Sequence, residues 1–178
     1  MTASDERSID PMAFRNCLGQ FPTGVCVITA PGDGEPIGMT MSSFNSLSLD
    51  PPLILFSIDR RAKGLPLWQA APAYVVHVLA ENQRALSNRF AKPGANKWEG
   101  LSYKLGPENA PVLAGAAAVL ECRPHARHDG GDHVLFIARV ARFQAHAERR
   151  PLIFCKGRYS ELGSGQGEAE LWPLDIHY

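Results

Sequence analysis

Between Gly38 and Ser57 the chain reads G-M-T-M-S-S-F-N-S-L-S-L-D-P-P-L-I-L-F-S, with small hydroxyl residues and glycine set between two apolar, strand-like runs. Thr40, Ser42, Ser43, Asn45, Ser46 and Ser48 supply short donors and acceptors on a backbone that a flat ligand can approach closely. This is the composition of a docking ledge; a core segment would carry larger apolar side chains. Cations able to meet an anionic group lie in two places: Lys63, with Arg60 and Arg61 beside it in the turn D-R-R-A-K, and Arg89 in N-R-F-A. A third group, His125, His128, Asp129, Asp132 and His133, is rich in metal-ligand types. Its spacing, H-x-x-H-x-x-x-x-H across a glycine turn, matches no arrangement that fixes three ligands on one rigid face, so no metal site is expected.

Other chemistries find little support. The glycines at 163, 165 and 167 lack the G-x-G-x-x-G spacing, the preceding strand and the following helix of a dinucleotide turn, and read as a linker. No G-x-S-x-G nucleophile turn occurs. Cys17, Cys26, Cys122 and Cys155 form no C-x-x-C pair, and the expectation is buried free thiols in a reducing compartment.

The elements that must position these residues follow from periodicity and punctuation. Asp10-Pro11 reads as an N-cap with proline at the first helical position, and Phe14, Cys17, Leu18 and Phe21 recur at helical spacing, which predicts a short amphipathic helix. Val25 to Ala30 and Pro36 to Ser43 are extended runs about the turn Pro31-Gly32-Asp33-Gly34, a hairpin that places the ledge at a strand end. Asp50-Pro51-Pro52 turns the chain into a buried strand from Leu53 to Ile58. A short helix over Leu65 to Gln69, a strand over Tyr74 to Leu79, a helix from a cap at Asn82 through Phe90 and a loop over Lys92 to Gly100 follow. Ala116 to His125 and His133 to Gln144 predict a long hairpin joined by H-D-G-G-D, and Leu152 to Cys155 a last strand. Many strands without regular β-α-β alternation indicate a mainly β fold, an antiparallel barrel with peripheral helices.

The 178 residues suit one domain over 1–178, with a core of about 12–160 and a flexible tail over 161–178 in which Leu171-Trp172-Pro173-Leu174 docks on a surface, such as a partner subunit's. A formal net charge of zero gives no reason to expect nucleic acid or an anionic membrane as partner. No run of about twenty apolar residues occurs, and the polar, acidic start M-T-A-S-D-E-R is unlike a signal peptide, so the expected location is the cytoplasm.

Taken in order, F-P-T-G-V at Phe21 to Val25, the T-x-S-S-F ledge, S-L-D-P-P-L, N-R-F-A at Asn88 to Ala91, H-D-G-G-D-H at His128 to His133 and G-R-Y at Gly157 to Tyr159 resemble the flavin reductase-like split barrels. That family includes the small reductase components of two-component flavin monooxygenases, and the resemblance covers roughly Phe14 to Tyr159. It implies a split β-barrel, a homodimer with the flavin near the subunit interface, FMN or FAD as the flavin, NADH or NADPH as hydride donor, and a separate monooxygenase as partner. By the same resemblance Gly38, Met39, Thr40, Ser42, Ser43, Ser57, Ile58 and Phe90 belong to the flavin site, and Lys63 and Arg89 are the candidates for its phosphate. His133, Arg158 and Tyr159 fall where the family places the nicotinamide, His133 as a positioning group with no acid or base role. Two departures stand out: Gly64 replaces a common Ser or Thr after the basic turn, and Ala138 a common Gly. A non-catalytic flavin- or haem-binding barrel is the alternative function.

Overall fold

The computed structural model describes residues 9–94 and 96–163. Helix α1 (Pro11–Leu18) begins as expected: Asp10 accepts from the amides of Met12 at 3.0 Å and Ala13 at 3.3 Å, satisfying donors that the first turn leaves unpaired. After it come β1 (Thr23–Gly24), β2 (Cys26–Ala30), β3 (Ile37–Met41), β4 (Asn45–Leu49), β5 (Pro52–Asp59), α2 (Leu65–Ala70) and β6 (Tyr74–Val78). A single 3-10 turn, Glu81–Gln83, leads into α3 (Arg84–Ala91), and β7 (Tyr103–Leu105), β8 (Pro111–Leu113), β9 (Ala118–Gly130), β10 (His133–Ala145), β11 (Ile153–Cys155) and β12 (Arg158–Ser160) complete the order. The main sheet has seven strands in the order β3-β2-β6-β9-β10-β5-β4, every described pairing antiparallel. It is an antiparallel split barrel: the sheet curls without a ladder between its β3 and β5–β4 ends.

The core explains the curl. On β5 the residues Ile54, Phe56 and Ile58 are buried at every second position, and Phe136 on β10 pairs directly with Phe56. Their rings stack with centroids 5.1 Å apart, while Tyr74 meets Phe56 edge-on at 5.3 Å and donates its hydroxyl to the Trp68 carbonyl at 2.9 Å. Trp68 thereby fixes α2 across one end of the barrel. A second cluster, Val25, Val27, Leu79, Phe90, Leu113 and Leu152, seats α3 against β2 and the small sheet β1-β11-β12.

Several expectations need correction. The β9 strand runs on through His128, Asp129 and Gly130, leaving only Gly131 and Asp132 to turn; polar composition suggested a longer turn, but pairing with β10 decides the matter, and Gly131 supplies the positive φ of 70° that so tight a turn needs. Asn82 is not a cap: it sits within the 3-10 turn, where the Gln83 side chain accepts from the Ala80 amide at 3.0 Å. The second half of the ledge, from Asn45, is itself an edge strand on β5. Ile153–Cys155 joins β1 and β12, outside the main sheet. Only Cys26 and Cys122 are buried, their thiols pushed up to about 12 by desolvation, whereas Cys17 is exposed and Cys155 partly so. The α1 helix buries none of its residues, so the face expected to pack is open to solvent. The docking tail at Trp172 and Pro173, like residues 164–178 generally, lies outside the described residues. No described helix is long and apolar enough to cross a membrane.

Candidate active site in the split of the barrel

The unpaired edge of β3 and the end of β5 approach each other at one point. There Ser43 accepts from the Ser57 amide at 3.1 Å and donates to the Ser57 carbonyl at 3.2 Å, a side-chain fastener where a closed barrel would have a ladder. Going backwards along β3 from this point, and forwards from β5 into the turn after it, the walls part into a cleft of about 720 Å³. Gly38, Met39, Lys63 and Gly64 line it, joined by Arg61, Glu35, Trp68, Lys97 and Trp98. The volume is in the range of small-molecule and cofactor sites.

The backbone of β3 is turned to serve this cleft. Lys97 Nζ donates to the Gly38 carbonyl at 3.2 Å and to the Phe90 carbonyl at 3.0 Å. A residue in an antiparallel strand sends its N–H and C=O to the same side, and the sides alternate. The Gly38 carbonyl is spent on Lys97, so the Gly38 amide also faces away from β2, and so does that of Thr40 two residues on. These are free donors along one edge of the ledge. Partial burial pulls the Lys97 amine below its ordinary value by desolvation, and its remaining N–H is available to an anion.

Gly38 is required by what lies behind it. A side chain there would meet the ring of Phe90 and the Cζ2 of Trp98, the latter at 3.2 Å. Phe90 is fully buried and packs edge-on against Trp98 with ring centroids 5.0 Å apart, so it bears on the cleft through Gly38. Thr40 donates its hydroxyl to the Ser87 carbonyl at 2.6 Å, tying β3 to α3. Tyr159 reaches the same helix, its hydroxyl 2.8 Å from both Ser87 Oγ and Asn88 Oδ1. Arg158 is exposed at the start of β12. Arg89 donates to the Glu99 carbonyl at 3.1 Å, holding the loop that carries Lys97, and does not line the cleft. Ser42 lines a smaller hollow with Phe21 and Phe154.

His133 begins β10 and does not line the cleft. It pairs with Asp59 across β10 and β5, and Leu135 pairs with Ser57. Ile54, Phe56 and Ile58 point into the core, so Ser57 and Asp59 share the opposite face, and His133 stands diagonal to Ser57 at roughly 7 Å by sheet geometry. The buried Ile58 side chain leaves its backbone as the part nearest that face. Around His133 the charges are paired: Nδ1 lies 2.7 Å from Asp132, Arg61 grips Asp59 through 2.7 and 3.1 Å bonds, and Arg60 bonds Asp129 and the Gly131 carbonyl. Bonds from Arg61 hold the Asp59 carboxyl well below the usual carboxylate range, and the hydrogen bond with His133 lowers that of Asp132. Lys63 makes no side-chain hydrogen bond or ion pair with another described residue, which leaves it for a ligand.

Of the expected residues the cleft brings together Gly38, Met39 and Lys63, and it adds Lys97, Trp98, Arg61 and Glu35; Ser43 and Ser57 bond each other, whereas Ser42, Arg89, His133, Arg158 and Tyr159 do not line it. The Lys97-Trp98 pair within a Pro- and Gly-marked loop was the available signal for the first two. The donor set fits a flavin: unpaired amides for the polar ring edge, hydroxyls beside them, and cations farther along for a phosphate.

Comparison with known proteins agrees. A family model described as a flavin reductase like domain matches residues 18–163. The chain is 36% identical over 169 residues to the reductase subunit of a flavin-dependent monooxygenase from Rhodococcus jostii, covering 95% of this chain and 87% of that one. It is 42% identical over 150 residues to an NADH-dependent FMN reductase from Agrobacterium fabrum, covering 84% and 85%. Among solved structures it is similar to an NADH:FAD oxidoreductase from Streptomyces globisporus in complex with NAD and FAD fragments, with a TM-score of 0.84, 35% identity and coverage of 90% and 99%. A matched family model over most of the chain, relatives of this identity and a shared split barrel carry one conclusion: the chain belongs to the flavin reductase-like domain family.

Proposed function

We propose that this chain is an NAD(P)H-dependent flavin reductase that uses the split of its barrel to hold FMN or FAD and hands the reduced flavin to a separate monooxygenase. The observation that carries this reading is the free edge of β3, where Gly38 lies beside Lys97 in a cleft that Lys63 and Trp98 also line. A bound flavin would supply the redox chemistry as the acceptor of hydride from a reduced nicotinamide. The residues supply position and charge. Amides and hydroxyls from Gly38 to Ser43 and at Ser57 orient the ring edge that becomes electron-rich on reduction, and donors there favour the reduced state. Lys63 and Lys97 take the phosphate end. His133, its Nδ1 engaged by Asp132, presents Nε2 and its ring face to the nicotinamide and orients it with no proton transfer. Tyr159 steadies α3 and β3 through Ser87. The absence of Ser or Thr at Gly64 shifts phosphate binding toward Lys97, a residue the sequence motif does not include.

The working form is a homodimer. The open apolar face of α1, with Phe14 51% exposed and Phe21 just beyond it 75% exposed, supports this reading because such a patch calls for a covering surface. The deciding experiment is titration of the purified chain with FMN and FAD, followed by NADH or NADPH oxidation under anaerobic conditions. Saturable flavin binding with stoichiometric flavin reduction is expected. Binding without reduction would replace the enzyme with a flavin carrier, and no binding below about 100 μM, a generous limit against ordinary substrate affinities, would defeat the reading.

A further inference from the structure

A second groove, of about 630 Å³, lies between the hairpin of β7 and β8 and the paired start of β9 and end of β10. Leu105, Val112 and Phe143 are among its apolar walls, and Lys104 and Arg142 bring positive charge against Glu121. Leu105 is 65% and Phe143 76% exposed, so large apolar surface stands open there. The backbone beside it is open too. β5 pairs with β10 from His133 to Arg139, whereas β9 pairs with it as far as Ala145, so among the described residues Val140 to Ala145 have a free outer edge. An edge of this kind offers amides and carbonyls to another segment of chain. The charge is one-sided. Arg139 pairs in register with Arg123, and Arg142 with Glu121. Their neighbours Ala138 and Cys122 are buried, so Arg139 and Arg123 stand on the outer face, where like charges directly opposite each other repel. With Lys104, four cations meet one carboxylate in a chain whose formal net charge is zero.

The complementary chemistry is in the chain itself. Ser164 to Tyr178 carries Glu168, Glu170 and Asp175, no Lys or Arg, and the apolar Leu171, Trp172 and Leu174 among them. That segment lies outside the described residues, but its point of departure is known. Glu161 accepts from Arg84 at 2.6 Å, the adjacent Gln83 donates to the Ala114 carbonyl at 2.9 Å, and Val112, two residues before Ala114, lines the groove. Nine residues lead from Gly163 to Trp172, a reach of up to roughly 30 Å, along a path that two side-chain bonds bridge. We propose that residues 164–178 dock in this groove of their own chain, Leu171 and Trp172 against Leu105 and Phe143, and the carboxylates over Lys104, Arg139 and Arg142. Burial of the apolar pair and relief of the arginine repulsion drive the contact. The proposal stands apart from the flavin reading, since this groove shares no residue with the cleft at Gly38.

The test is zero-length carbodiimide cross-linking of the full chain in dilute solution, with the joined peptides identified by mass. Lys104 is expected to join Glu168, Glu170 or Asp175 within one chain. Arg139→Glu/Arg142→Glu, at exposed positions outside the flavin site, should lower that yield severalfold with circular dichroism and flavin reduction unchanged, and about 0.5 M salt should do the same by screening. Trp172→Ala should lower it through the lost apolar contact. Cross-links of the segment confined to Lys63, Lys92 or Lys97 would place it elsewhere and overturn the proposal. A link to Lys104 found only between isotope-labelled and unlabelled chains would give the groove to a second copy and overturn docking within one chain. A yield that neither the double variant nor salt changes would overturn the charge pairing on which the proposal stands.

Discussion

Asp59 and His133 face each other as a register pair across β5 and β10, with Arg61 bound to the one and Asp132 to the other. The imidazole is therefore held from behind by a carboxylate and kept on the face that carries Ser57. Replacing it with alanine removes an orienting group without touching the flavin ledge. His133→Ala should lower kcat/KM for NAD(P)H roughly 10- to 100-fold, about 1.4 to 2.7 kcal/mol of transition-state stabilisation, with flavin affinity nearly unchanged. Stopped-flow reduction beside a flavin titration separates the outcomes. A parental reduction rate would remove His133 from the site, and equal loss of flavin binding would move it to the flavin pocket.

Gly38→Ala tests the close approach of β3 to α3. The added methyl meets the buried Phe90 ring, and overpacking of this kind costs about 1 to 3 kcal/mol. A lower urea midpoint with weaker flavin binding is expected. The double variant Gly38→Ala/Phe90→Leu should recover part of the stability, since the clash is pairwise. Additive losses in the pair would show that the strain lies elsewhere.

His77 gives the fold a sensitivity to acid. It is fully buried, with Nδ1 2.9 Å from the Val27 carbonyl and Nε2 accepting from the Leu113 amide at 2.9 Å, so the neutral ring is held in one tautomer. Burial lowers its pKa to about 4 from the ordinary 6.5. The unfolded chain takes up a proton below about 6.5 that the folded chain refuses until about 4, so stability rises with pH across that window and is lost as pH falls through it. The loss approaches about 3 kcal/mol at the acid end. Urea midpoints measured at pH 7, 6 and 5 should fall in that order, and His77→Gln should start lower but flatten the slope. An unchanged midpoint from pH 7 to 5 would exclude His77 as its source.

The α1 face supplies a test of assembly. Phe14 and Leu18 are four residues apart on this helix, each more than half exposed, and neither supports the core of its own chain. Phe14→Ser/Leu18→Ser should leave thermal unfolding of the barrel nearly intact while moving the light-scattering mass from about twice 19.4 kDa toward 19.4 kDa. A mass that stays doubled would place the subunit contact on another face.

The sequence carried the parts of the fold that local chemistry dictates. Asp10 before Pro11 announces a capped helix, alternation from Ile54 to Ile58 announces a strand with one buried face, and the hydroxyl run at Thr40 to Ser43 marks the ledge. Elements set by partners were less legible. His128, Asp129 and Gly130 look like a turn because nothing in their composition records that β10 pairs with them. Asn45 to Leu49 lacks a buried face and becomes a strand only because the outer edge of β5 is open to it. Lys97 and Glu35 were missed for a related reason: the cleft is assembled from segments near 36, 63 and 97, and only the folded chain brings them together. The cysteines show the limit of composition, since burial separates Cys26 and Cys122 from Cys17 although all are single thiols.

Among the described residues, the β3 edge is held by side chains: Ser43 on Ser57 across the gap, and on the α3 side Lys97 on Gly38 and Phe90, and Thr40 on Ser87. A strand ladder yields cooperatively, whereas fasteners of this kind release one at a time, each worth about 1 kcal/mol. The barrel is therefore stiff around most of its circumference and compliant along one seam. That seam is the place where a ligand must enter and leave, so the width of the opening can change at the expense of a few side chains while the stacked rings of Phe56 and Phe136 stay undisturbed.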